Sequence, residues 1–167
     1  MYDLQLNQFK KMLKNLDNCL AKAAAHADAK KFDVNNFVEC RLIADMFPLV
    51  KQVQSSCDSA KFFAARLAGK EAPKHEDNEK TFAELRERIK KVLTYLETFS
   101  AKDFANAKNT KVSPGWAQGK WMTADEFAHE VSVPNFFFHV TTAYAILRTN
   151  GVDVGKMDYL GSVDLKD

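Results

Sequence analysis

With 167 residues, 46% hydrophobic and 28% charged, the chain has the composition of an ordinary globular protein, long enough to bury a real core. A formal net charge of only +2, with lysine pairs scattered at Lys10-Lys11, Lys30-Lys31 and Lys90-Lys91, gives no basic stripe for nucleic acid, and no apolar run approaches the roughly 20 residues that span a bilayer. The N-terminus carries no signal pattern, so the expectation is one cytoplasmic domain over residues 1–167 without a nucleic-acid or membrane partner. Residues 2–29 place Leu6, Phe9, Leu13, Leu16, Leu20, Ala23 and Ala27 on one helical stripe, with His26 on the opposite, solvated face. Asp33 is placed to cap a short helix near Val34, and Pro48 fits the first turn of a helix over residues 47–68. That helix buries Leu49, Val53, Ser56, Ala60, Phe63, Ala64 and Leu67, and Gly69 ends it. Asp58 points away from this stripe, toward solvent.

Residues 70–80 read as a polar loop with an exposed His75. Thr81-Phe82-Ala83-Glu84 is a capping box, and Phe82, Leu85, Ile89, Val92, Leu96 and Phe99 form the stripe of a third helix ending near Thr98. Residues 100–109 are a connection anchored by Phe104. Residues 111–122, with two glycines, a proline and two tryptophans, predict a small hairpin or extended loop over one end of the bundle. Thr123-Ala124-Asp125-Glu126 is a second capping box, opening a helix to about Ser132, where Pro134 kinks it or starts another. The last helix, Pro134–Thr149, is apolar nearly all round and therefore expected inside the protein; Asn150-Gly151 ends it. The tail, Val152–Asp167, is expected to pack in extended form. The fold class is all-α: an up-down four-helix bundle whose connections suit antiparallel neighbours, except the one spanning roughly residues 100–122.

Cys19, Cys40 and Cys57 are odd in number and lack Cys-x-x-Cys spacing, which predicts three buried, reduced thiols. His129-Glu130 begins a zinc-protease motif, but Val133 stands where its second histidine belongs. No serine elbow or phosphate-cradling glycine loop occurs. The chemistry concentrates on the last helix, where Asn135 and His139 lie four apart on one face. Extending the second helix backwards puts Asp45 on the same side as Gln52, Ser56 and Ser59. Asp45, Gln52, Asn135 and His139 are the pocket candidates, with Tyr144 as a further polar residue offset to another face. Two readings stay open: a core histidine satisfied by Asp45 or Gln52, and a pocket for a small-molecule ligand.

Arg41–Leu49 with Gln52, Ala65–Gly69, Pro134–Arg148 and Gly155–Gly161 resemble a bacterial family known as a domain of unknown function, DUF1993. The resemblance runs from about Phe32 to Gly161. That family lies in the DinB/YfiT-like superfamily of four-helix bundles, and the resemblance implies the bundle fold and a homodimer. Superfamily members hold a divalent metal on three histidines, one on the second helix and two four apart on the last. Some are thiol-dependent transferases; others are isomerases or hydrolases of small molecules. The resemblance puts His139 at the second of the paired histidines, making it the candidate metal ligand, and Asn135 at the first. Between Ala27 and Lys74 no histidine occurs, so two of the three ligands are replaced. Three functions follow: a small-molecule-binding bundle with a polar pocket, a metal-dependent transferase with an altered ligand set that adds Asp45, and a non-catalytic dimeric interaction protein.

Overall fold

The first helix, α1 (Tyr2–Lys30), buries the predicted stripe and stops where Lys31 takes a left-handed conformation. The computed structural model describes residues 1–163 and 165–166. After α1, a 3-10 turn at Val34–Phe37 is capped by Asp33, whose carboxylate accepts from Asn35 N at 2.9 Å. Helix α2 (Leu49–Leu67) begins after Pro48 and ends at Gly69, which sits at φ +64°. Helix α3 (Phe82–Glu97) opens on the Thr81–Glu84 capping box. The strands β1 (Lys111–Val112) and β2 (Met122–Thr123) pair antiparallel, with Lys111 opposite Thr123. The Thr123–Glu126 capping box then opens α4 (Ala124–Glu126), which runs without a break through a π-helical stretch at Phe127–Ser132 into α5 (Val133–Thr149). The widened π turn accommodates Pro134, whose missing N–H and ring bulk oppose a regular α-helical register.

Helices α1, α2, α3 and α5 pack as the four-helix bundle. Its aromatic centre joins three of them: Phe9 of α1 stacks on Phe136 of α5 at 4.2 Å and meets Phe63 of α2 edge-on at 5.0 Å. No helix among the described residues is long and apolar enough to cross a membrane. Helix directions correct the expected alternation of antiparallel neighbours. Arg88 of α3 meets Asp58 of α2, and Phe99 just past α3 meets Lys70 just past α2, so the two helices run parallel. The connecting loop explains this. Eleven residues at about 3.3 Å each span roughly 36 Å, more than the roughly 28 Å length of a 19-residue helix. The loop runs back along α2, passing His75 near Lys61, Asp77 near Lys51 and Glu79 near Gln54.

Other expectations need correction. Helix α5 is one wall of the bundle rather than a helix enclosed on all sides: Phe136 is fully buried, whereas Phe138 is 55% exposed. His26 is half-buried, its ring set edge-on against Phe32 at 6.0 Å. His75 is also half-buried, in the loop that lies on α2. Cys19 and Cys57 are buried thiols as expected, whereas Cys40 is half-buried. The tail is not simply extended: Val152 and Val154 are buried, and a short helix, α6 (Lys156–Leu160), packs on α1. Asp164 and Asp167 of that tail lie outside the described residues.

Candidate functional site

Helices α2 and α5 run antiparallel, so residues on α2 meet partners in reverse order along α5 and the π stretch. Two polar rungs mark the seam. His139 Nδ1 lies 2.7 Å from Gln52 Oε1, and Asn135 Nδ2 donates to Ser59 Oγ at 2.7 Å. Ser59 Oγ donates in turn to Ser55 O at 2.8 Å. Gln52 is 1% exposed and His139 is 8% exposed, so the first rung is buried.

The protonation state of His139 follows from its neighbours. Gln52 Nε2 donates to the carbonyl of Phe47 at 3.0 Å, and a carbonyl can only accept. The Gln52 amide therefore presents its oxygen to the imidazole, and His139 Nδ1 must carry the proton. Burial holds the ring's pKa below the usual histidine value, which favours the neutral form. Nε2 is then an unprotonated base with no hydrogen-bond partner among the described residues. Asn135 Oδ1 is likewise unengaged.

These side chains separate two depressions, and both Asn135 and His139 line each of them. One, of about 340 Å³, lies at the N-terminal end of α2 and is bordered by Asp45, Met46, Phe47, Gln52 and Phe138. It brings together four of the five sequence-predicted pocket residues. Asp45 is there for a different reason from the one expected: it stands exposed in the turn before Pro48 rather than on the helix, and makes no hydrogen bond with His139. The fifth candidate, Tyr144, does not belong to the site. It turns toward α1 and α6, meets Tyr159 edge-on at 5.9 Å and donates to Val154 O at 3.4 Å.

The other depression, a groove of about 240 Å³, follows the α2–α5 seam toward the hairpin. Its far end holds residues that sequence reasoning missed: Phe62 and Arg66 of α2, Trp116 of the hairpin, and Phe127 and Ser132 of the π stretch. The signal was present, because Gln52, Ser59 and Arg66 recur every seven residues and so share a helix face. The Arg66 guanidinium lies 4.6 Å from the Phe62 ring centroid and 5.2 Å from that of Phe127.

Asp58 also borders the groove, which corrects its assignment to bulk solvent. It accepts from Arg88 Nη2 at 2.8 Å and pairs with Lys61 at 2.8 Å. Arg88 and Lys61 are each 2% exposed, and Arg88 also pairs with Glu79 at 3.0 Å. Asp58 is thereby neutralised from behind.

A resident transition metal does not fit this donor set. His139 Nε2 is its single imidazole nitrogen, and amide oxygens are weak ligands for zinc or nickel. Among the described residues no three His, Cys, Asp or Glu side chains gather as a metal-binding group. The seam can do something else: position a neutral base beside hydrogen-bonding amides and hydroxyls on an aromatic-walled groove.

Residues 1–160 match the family described as Domain of unknown function (DUF1993). The crystal structure of a DinB family member protein from Shewanella denitrificans is 55% identical, covers 99% of this chain and 94% of that one, and superposes with a TM-score of 0.94. Among curated proteins, no match was found.

Proposed function

The chain belongs to the DUF1993 family, as a DinB-like helical bundle, and from that premise we propose that it binds a small organic molecule along the α2–α5 seam, with His139 Nε2 accepting a hydrogen bond from the ligand. The single observation that carries this reading is the Gln52–His139 bond. It fixes the imidazole by one nitrogen and leaves the other unengaged where two depressions meet. A histidine that merely satisfied a core would use its polar atoms inward. Asn135 repeats the pattern: its nitrogen is engaged by Ser59 and its oxygen is not. The same unprotonated nitrogen can serve as a general base toward an acidic ligand proton, since a positioned neutral imidazole is the commonest group for that task.

The test combines metal analysis of protein purified without a histidine tag with a crystallographic soak of small neutral alcohols and amides. The expected result is no stoichiometric zinc, nickel or manganese, and fragments bound within hydrogen-bond distance of His139 Nε2. Stoichiometric metal that is lost on His139→Ala would instead support a metal-dependent transferase. A second reading, a dimeric interaction protein, draws support from Phe47 and Phe138, which border the α2-end depression at 58% and 55% exposure. Sedimentation of the wild type against Phe138→Glu tests it; a dimer that dissociates in the variant favours that reading.

A further inference from the structure

Among the described residues Arg66 is the one guanidinium that lines the α2–α5 groove, and the binding site proposed above does not use it. It forms no salt bridge or hydrogen bond among the described residues. Its environment is nonetheless built. Phe62 lies at 4.6 Å and Phe127 at 5.2 Å from the guanidinium carbon, so the cation is held by aromatic rings rather than by an acid. Burial pushes its pKa down, as expected for a cation drawn partly out of water without a compensating carboxylate. The nearest acid in the groove, Asp58, is engaged by Arg88 and Lys61 and so does not neutralise it.

We infer that Arg66 is the anion-recognising end of the groove, and that the ligand is a small aromatic carboxylate whose carboxyl group pairs with this guanidinium while its ring lies against Phe62, Phe127 and Trp116. The inference rests on the reading of the groove as a binding site and adds its ligand class. Guanidinium contacts with the aromatic rings leave N–H donors for a ligand, and their planar fork matches a carboxylate in two-point contact. A single free cation suits a monoanion better than a phosphate. Lys61, the other cation on this part of α2, is 2% exposed and paired with Asp58. The groove's volume, about 240 Å³, falls below the roughly 300–1,000 Å³ of sites for drug-sized ligands and suits a single ring. Ser55, Ser59 and Ser132 line the stretch between Arg66 and His139, so polar ring substituents meet hydroxyls rather than apolar wall.

The experiment titrates untagged protein with carboxylate and amide partners of the same shape: benzoate and benzamide, phenylacetate and phenylacetamide, 4-hydroxybenzoate and 4-hydroxybenzamide. Phenyl phosphate is added as a dianion. Binding is read by calorimetry and by the His139 imidazole resonances, in the wild type and in Arg66→Gln. The expected result is that the best carboxylate binds at least about tenfold more tightly than its amide, as a charged hydrogen-bonded pair provides. In Arg66→Gln that preference falls to within about twofold, because the carboxylate loses more affinity than the amide, while the melting temperature shifts by no more than about 2 °C. If amides bind as well as carboxylates and move the His139 resonances, the groove is a binding site and the role of Arg66 is overturned. Tighter binding of phenyl phosphate than of any carboxylate overturns the ligand class. Absence of any shift at His139 with every probe overturns this inference together with the reading it rests on.

Discussion

Helix α2 carries buried polarity on two sides, and the two sides are built differently. Toward α3 and the loop at residues 70–80, Asp58, Lys61, Arg88 and Glu79 form a knot of ion pairs at 2.8–3.0 Å, to which Gln54 donates a hydrogen bond at 2.7 Å. The charged groups there each have a partner, although Arg88 Nε and Gln54 Oε1 lack one among the described residues. Toward α5, Gln52 and Ser59 each engage one atom of their partner and leave another unengaged, and Arg66 is held by rings alone. A buried polar group must be satisfied or it costs free energy. On the α3 side the charges are paired with one another and tie the loop to the bundle, whereas on the α5 side the unengaged atoms of His139 and Asn135 border an open groove and leave capacity for a ligand.

Breaking the closed side is expected to have the largest effect. Arg88→Met leaves Asp58 with Lys61 alone and Glu79 with the neutral Gln54 alone, in a site where Arg88 is 2% exposed, at a cost of about 3–5 kcal/mol. For a chain of this size that lowers the melting temperature by roughly 10 °C in calorimetry. A drop of only a degree or two would mean that the knot is solvated and that the two sides do not differ as described. On the α5 side, Gln52→Leu leaves His139 Nδ1–H without its acceptor and is expected to cost about 1–3 kcal/mol in denaturant unfolding. The double variant Gln52→Leu with His139→Phe recovers part of this, because both polar partners are then gone.

Acid sharpens the comparison further. His139 and His75 both have pKa values held below 6.5, in each case chiefly by burial, with Lys61 and Arg88 adding to the effect at His75. The unfolded chain therefore binds more protons than the folded one just below pH 6.5. Stability is fully present above that pH and is lost as pH falls through the folded-state values, with a slope of at most about 1.4 kcal/mol per pH unit for each proton. Melting curves between pH 7 and pH 5 are expected to fall, and His139→Gln to fall less steeply. Equal slopes would remove His139 from this account. Arg66→Gln is expected to change stability least, by about 0.5 kcal/mol or less, because no acid is left unpaired.

The sequence made the apolar stripes legible because leucine and phenylalanine periodicity depends only on the helix repeat. It also made legible the one buried histidine and its two possible partners, of which the structure chooses Gln52. Asp45 was misplaced because the turn before Pro48 takes the chain off the helix axis. Tyr144, read as a pocket candidate offset to another face of the helix, stands five positions from His139 and turns its side chain toward α1 and α6. The parallel course of α2 and α3 was illegible, since loop 70–80 has the composition of a short connection but the length of a crossover. With that path unknown, His75 and Asp58 read as solvated, and Arg88 had no visible partners. Arg66 could have been found from its seven-residue spacing to Ser59 and Gln52.

His139 offers an unprotonated Nε2 to a ligand in the seam. Long-range nitrogen–proton NMR of the imidazole, in untagged protein at neutral pH, tests it directly. The ring is expected to be neutral and protonated at Nδ1, with an Nε2 resonance that moves when 4-hydroxybenzoate or 4-hydroxybenzamide, whose hydroxyl can donate to it, is added. A ring protonated at Nε2, or an Nε2 resonance that stays fixed across the carboxylates and amides alike, would contradict it.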